Sequence, residues 1–205
     1  REPQVVAGIG HDLAEVLFGV AAEGDQGVGD AAAHLPFLVG ERLDQLVPRL
    51  WQHRLTLVVA PAGSGKTTLL AAWAGLADAP AAWYRAESVD GSEERLVAHL
   101  GAAFAVVVPD LEPAWRSVDQ AAQLLDERPE ARLLLVIDDL HALTGTPAEV
   151  ALERFLDNAP PSLAVVAGTR VAPSFNLSRR RVTGEILELS GDDLRFRPWE
   201  VERLF

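Results

Sequence analysis

The stretch Ala60-Pro61-Ala62-Gly63-Ser64-Gly65-Lys66-Thr67-Thr68 limits what this chain can fold into more than any other. Upstream of it, Arg54 to Val59 is a short apolar run rich in β-branched residues and reads as a buried strand. Downstream, Leu69 to Leu76 is an apolar run of helix formers. Strand, Gly-rich loop, then Gly-Lys-Thr opening a helix is the arrangement that a phosphate-binding loop needs. Its glycines let backbone N–H groups turn inward and close on an anion. The helix start adds unsatisfied donors and a partial positive charge. In the pattern G-x-x-x-x-G-K-[ST] the first position is Gly, and here it is Ala60; a methyl group fits there if the residue stays extended with φ below zero. Lys66 is the only lysine among 18 Lys and Arg residues. A chain that uses Arg everywhere else and keeps Lys here points to a need for an ammonium on a flexible stem.

At 205 residues the chain has room for one α/β domain with a sizeable core and flanking pieces. No apolar run approaches the length of a membrane span. Without Cys, neither disulfides nor thiol chemistry apply. Without Met, Arg1 is not a native start, and the expectation is a piece of something longer. The net charge of −12 argues against nonspecific nucleic-acid binding by this piece, so any DNA contact is expected from domains outside it.

Residues 1–34 read as a linker or the tail of a preceding module, with a candidate helix from Asp12 to Phe18 and a flexible acidic stretch from Glu23 to Asp30. His11 and His34 have no partner that would make them metal ligands. The domain is expected over 35–197. Leu43, Leu46, Val47 and Leu50 fall on one helix face, entered through Val39-Gly40-Glu41-Arg42. Val39 either covers a base edge or packs at a helix entry. Ala81 to Ala86 is a second strand, and Leu96, Leu100, Ala103 and Phe104 give a helix face beyond it. Asp90 with Glu93 is close to a capping box; both either cap that helix or position water. Helices are expected from Ser117 to Glu127 and from Pro147 to Asn158, with Trp115 a packing residue.

Ala131 to Ile137 is a continuous apolar run of the kind found in a central parallel strand, and it ends in Asp138-Asp139. Ligands of open α/β sheets bind at the carboxyl ends of strands. Beside a phosphate loop, Asp138 would hold Mg²⁺, and Asp139 would orient the attacking water or cap the next turn. His141 packs or hydrogen-bonds near this turn, or serves there as a base. Leu163 to Arg170 is the next buried strand, and Arg170 at its tip would face a γ-phosphate or make a surface ion pair. Arg179-Arg180-Arg181 is the one basic cluster, read as a solvated face or a contact to a neighbouring domain. Glu185 to Leu189 is an edge-like fifth strand, and a new helix starts at Trp199.

Four stretches, Leu55 to Leu70, Leu133 to His141, Ala167 to Arg170 and Glu188 to Phe196, resemble in order and spacing the nucleotide-binding domain of STAND-class NTPases. Among these the chain is similar to the large LuxR-type and maltose-activator-like bacterial transcription regulators and to the antibiotic regulatory proteins. The form Ala-Pro-Ala-Gly-x-Gly-Lys-Thr-Thr in that group accounts for Ala60. The resemblance implies a P-loop NTPase fold, a three-layer αβα sandwich whose parallel five-stranded sheet has the order 5-1-4-3-2. It implies a cytoplasmic ATP/ADP switch with weak, Mg²⁺-dependent hydrolysis and self-association of the full-length protein in its ATP state. Pro61, Ala62, Gly63, Ser64, Gly65, Lys66, Thr67 and Thr68 would hold the phosphates, Thr67 and Asp138 the Mg²⁺, and Arg170 would sense the γ-phosphate. Val39 and Arg42 match the entry motif beside the base, although Gly40 stands where relatives often carry Arg. DNA binding would belong to domains absent from this chain, and 198–205 would begin a further helical domain. The alternative is a stand-alone ATPase or a small-molecule phosphotransferase.

Overall fold

The computed structural model describes residues 41–108, 111, 114–128 and 132–202. Val39, Gly40, His11, His34 and the Asp12 to Phe18 helix lie outside the described residues. In chain order the elements are α1 (Glu41–Asp44), α2 (Val47–Leu50), β1 (Leu55–Val59), α3 (Lys66–Leu76), β2 (Ala81–Arg85), α4 (Glu93–Val107), α5 (Val118–Asp126), β3 (Leu133–Asp138), α6 (Pro147–Asn158), β4 (Leu163–Thr169), α7 (Leu177–Val182), β5 (Ile186–Ser190), α8 (Gly191–Leu194) and α9 (Pro198–Glu202). Short 3₁₀ turns cover Ser88–Asp90 and Leu140–Leu143.

The five strands form one sheet in the order β2-β3-β4-β1-β5, and every pairing is parallel. This is the expected order read from its other edge. Parallel strands need crossovers, and the crossover helices cover both faces, so the central strands must be apolar on both sides. Accordingly β3 and β4 are buried along their whole length. Side chains alternate between the two layers. Leu55, Leu57, Leu135, Ile137, Val165 and Ala167 face α4, α5 and α6, where Leu96, Leu100, Phe104, Leu125, Leu152 and Phe155 pack. Val58, Leu134, Val136, Ala164 and Val166 face α1, α2 and α3, where Leu43, Leu50, Leu69, Leu70 and Trp73 pack. Trp73 is fully buried, and its indole Nε1 donates to Leu43 O at 3.0 Å, so burial leaves no donor unpaired. Trp115 packs against Phe104 with ring centroids 5.5 Å apart, as a core residue.

Three local expectations need correction. The single helix over Leu43–Leu50 is two short helices, because Pro48 has no N–H and its ring clashes with the carbonyl four residues back, at the end of α1. The cap of α4 is Ser92, whose side chain accepts from Arg95 N, while Asp90 pairs with Glu87 in a box around the preceding 3₁₀ turn. Asp90 is fully buried and also accepts from the Tyr84 hydroxyl at 3.1 Å. The Arg179–Arg181 cluster is consumed by ion pairs: Arg180 is 1% exposed against Asp157 at 2.8 Å, and Arg181 forks onto Glu188 at 2.6 and 2.8 Å. No helix among the described residues is long and apolar enough to cross a membrane.

Candidate functional site

The parallel topology brings the carboxyl ends of β1, β3 and β4 to one edge, and the loops leaving them make the site. After Val59 the chain stays tied to β4, with Ala60 N donating to Thr169 O at 3.0 Å. Asp78 and Asp139 are the described non-glycine residues with positive φ, so Ala60 keeps the negative φ that its side chain requires. The loop then turns through Gly63 (φ 74°) and Gly65 (φ 83°), conformations that cost other residues about 1–2 kcal/mol. A Cβ built at either glycine meets no atom within 4 Å, so the loop borders open space. Ser64 Oγ donates back to Pro61 O at 2.8 Å and tightens the turn. Gly65 is the N-cap of α3 and supplies no side chain, so no side chain satisfies the amides of the first turn. An anion in that space would meet them.

Lys66 opens α3 and is 7% exposed. Its Nζ donates to Ala60 O at 2.9 Å and to Pro61 O at 2.8 Å, folding the side chain back over the loop. Burial holds the Lys66 pKa below its ordinary value; Asp138 opposes that shift, and the positive charge of Arg170 adds to it. The ammonium is thus under-compensated, which suits it to a phosphate group.

Next to it, the Thr67 hydroxyl donates to Asp138 Oδ2 at 2.8 Å. Asp138 is 2% exposed, and its other oxygen accepts from Asp139 N at 2.9 Å. Gly168 on β4 lets these groups meet: a Cβ there would lie 3.0 Å from Leu70 Cδ1, 3.4 Å from Asp138 Oδ1 and 3.7 Å from Lys66 Cβ. No cluster of three His, Cys, Asp or Glu residues that could hold a metal occurs among the described residues. A hydroxyl and one carboxylate suit Mg²⁺, which takes few protein ligands and fills its shell with water and phosphate oxygens. Arg170 is exposed at the tip of β4. Thr68 lies half-buried in the first turn of α3. The structure therefore brings together Lys66, Thr67, Asp138 and Arg170 with the loop from Pro61 to Thr68.

Arg42 points elsewhere. Its guanidinium donates to Asp193 O at 2.6 Å and to Arg195 O at 3.4 Å, with Nε 3.7 Å from the buried Glu200 carboxylate. It thereby ties α1 to the segment after β5. That segment touches the phosphate loop, since a Cβ at Gly191 would come 3.3 Å from Pro61 Cδ.

Two participants have no place in the nucleotide site on sequence grounds: Arg85, which the sequence offers only as a basic residue for the phosphotransferase alternative, and Glu149. Arg85 ends β2 in register with Asp138. Its Nε and Nη2 reach Asp139 Oδ2 at 3.3 and 3.2 Å. Asp139 sits in the left-handed region (φ 55°) with His141 Nδ1 3.8 Å from its other oxygen. The signal for Arg85 was its place at a strand tip beside β3, which needs the strand order. Glu149, on α6, is 3% exposed and accepts backbone N–H bonds from Gly145 and Ser174, both at 2.8 Å. Nothing in its sequence context set it apart from an ordinary first-turn acid.

Comparison with known proteins agrees with this geometry. Residues 51–188 match the family model described as AAA domain. The chain is 31% identical over 180 residues to the HTH-type transcriptional regulator MalT of Yersinia enterocolitica and equally to that of Yersinia pestis, covering 82% of this chain. It spans 20% of the length of those relatives. Among solved structures, a Walker-type ATPase of Pyrococcus abyssi shares the fold at TM-score 0.50 and 17% identity over 63% of this chain and 44% of that one. A chain of the Drosophila ORC structure with AT-rich DNA and Cdc6 does so at TM-score 0.52 and 14% identity, over 83% and 61%. The matched span takes in β1 to β4, the start of β5, the phosphate loop and the Asp138 strand tip, and the chain belongs to the AAA domain family of P-loop NTPases.

Proposed function

We propose that this chain is the ATP/ADP-binding, Mg²⁺-dependent switch domain of a multidomain, signal-responsive transcriptional regulator, with slow hydrolysis as its reset. The observation that carries the reading is the convergence of a buried ammonium and a hydroxyl–carboxylate pair, Thr67 Oγ1 to Asp138 Oδ2 at 2.8 Å, on one glycine-turned helix start. Backbone amides from Pro61 to Thr68 receive the phosphates, and Lys66 binds the β- and γ-phosphates. Thr67 and Asp138 would hold Mg²⁺, which would neutralise phosphate charge. Asp139 orients the attacking water, and Arg170 reads the γ-phosphate. In this reading Val39 would cover the base edge, while Arg42 braces the entry motif by tying α1 to the segment after β5. The regulatory part is supported by the 31% identity to MalT regulators. On that basis residues 35–197 form the NTPase unit, 1–34 a linker or the tail of a preceding module, and 198–205 the start of a further helical domain. DNA binding belongs to other domains of the full-length protein, which self-associates with ATP bound and works in the cytoplasm, where ATP is.

Purified protein should release an adenine nucleotide on denaturation, identified by mass, and hydrolyse ATP well below about 1 s⁻¹. Absence of any nucleotide, together with no binding in a titration, would sink the site. Turnover near the enzyme median of about 10 s⁻¹ would favour a stand-alone ATPase.

A further inference from the structure

Glu149 lies in the first turn of α6, where an acid ordinarily only caps the helix. Its carboxylate reaches further. Oε2 accepts from Gly145 N at 2.8 Å, in the turn that leaves Asp138 and Asp139, and Oε1 accepts from Ser174 N at 2.8 Å, in the loop that leaves Arg170. One turn further along α6, Glu153 Oε1 accepts from Asn176 N at 2.6 Å. Capping would need the first bond alone. The other two hold the β4 loop, whose residues Arg170, Val171 and Ala172 are exposed and whose Pro173 has no N–H to give. A carboxylate that is 3% exposed must have its oxygens satisfied, and they are bonded by amides from the two connections that leave β3 and β4. The loop bearing the acids and the loop bearing Arg170 are thereby fastened to each other through one side chain.

We propose that Glu149 is a positioning residue, which fixes the Arg170 loop against the Asp138-Asp139 turn so that discrimination between ATP and ADP depends on it. This rests on the reading of Arg170 as the γ-phosphate sensor.

The test is titration of the full chain with Mg·ATP and Mg·ADP, in the wild type, Arg170→Ala, Glu149→Gln, the double variant and Lys66→Ala. Glutamine keeps one accepting oxygen and sets an NH₂ against the other amide. Arg170→Ala and Glu149→Gln should each shrink the preference for ATP over ADP by roughly tenfold. The double variant should fall no further, because both changes remove one interaction. A merely structural Glu149 would lower the Tm and weaken both nucleotides alike, and an unchanged preference in Glu149→Gln overturns the proposal. Should Lys66→Ala bind ATP as the wild type does, the nucleotide site itself is wrong. If Lys66→Ala loses binding but Arg170→Ala keeps the preference, the sensor assignment fails and the proposal with it. If Glu149→Gln does not fold, Glu153→Gln decides: a reduced preference supports the proposal and an unaltered one overturns it.

Discussion

The two sides of the candidate site are built in different ways. The phosphate side is one unbroken segment shaped by local bonds, Ser64 to Pro61 and Lys66 to Ala60 and Pro61, and it reaches across the sheet through Ala60 to Thr169 and Thr67 to Asp138. The facing side is gathered from the tips of β2, β3 and β4 and from α6, with contacts such as Arg85 to Asp139 and Glu149 to Ser174. A contiguous side carries its geometry in its own backbone angles. A gathered side holds its geometry only while the sheet and α6 are packed. Changes on the first should remove binding outright, whereas changes on the second should alter what binding does.

Lys66→Ala is the strongest break of that contrast. It should cost nucleotide affinity about 3 kcal/mol or more, since charge-assisted bonds to phosphate are lost. Calorimetric titration measures this. The melting temperature should hold or rise, because a desolvated cation leaves the fold. Asp138→Asn comes next. ATP affinity with and without Mg²⁺ should become equal, and a persisting Mg²⁺ enhancement would remove Asp138 from the metal. The pH response of Lys66 sharpens the comparison further. Its folded pKa lies below the ordinary 10.5, so between the two values the unfolded chain binds more protons and apo stability rises with pH. Phosphate should restore the ammonium, so nucleotide binding takes up protons in that window, and its heat varies with buffer ionisation enthalpy there. Arg85→Ala is the smallest expected effect. The Arg85 side chain is 60% exposed, so breaking the Asp139 pair should move stability by less than about 0.5 kcal/mol. The rate of phosphate release should nevertheless change, and identical turnover would take Asp139 out of the reaction.

Legibility in the sequence follows the same division. The loop, Lys66 and Thr67 were readable because the pattern is contiguous, and the β3 acids because an apolar run ends on them. The strand order came with the resemblance, which implied it, and the parallel sheet bears it out. The break between α1 and α2 had its signal in Pro48, which the helical spacing of Leu43, Val47 and Leu50 outweighed in the reading. Arg180 was hidden in a triplet of arginines, and its burial is decided by Asp157 on α6, a neighbour only in the fold. Glu149 had no signal, because its second partner, Ser174, is 25 residues away and arrives only when β4 pairs with β3.

Gly168 sets a dimension of the molecule by leaving out an atom. Alanine there would press on the fully buried Leu70 side chain, which would have to give by a few tenths of an ångström, and would touch Asp138 and the stem of Lys66. Leu70 and Lys66 both belong to the first turns of α3, so the helix start should shift if Leu70 does not give way alone. The thickness of this layer is therefore also the calibration of the reactive edge, and a defect deep in the packing would surface as a chemical fault.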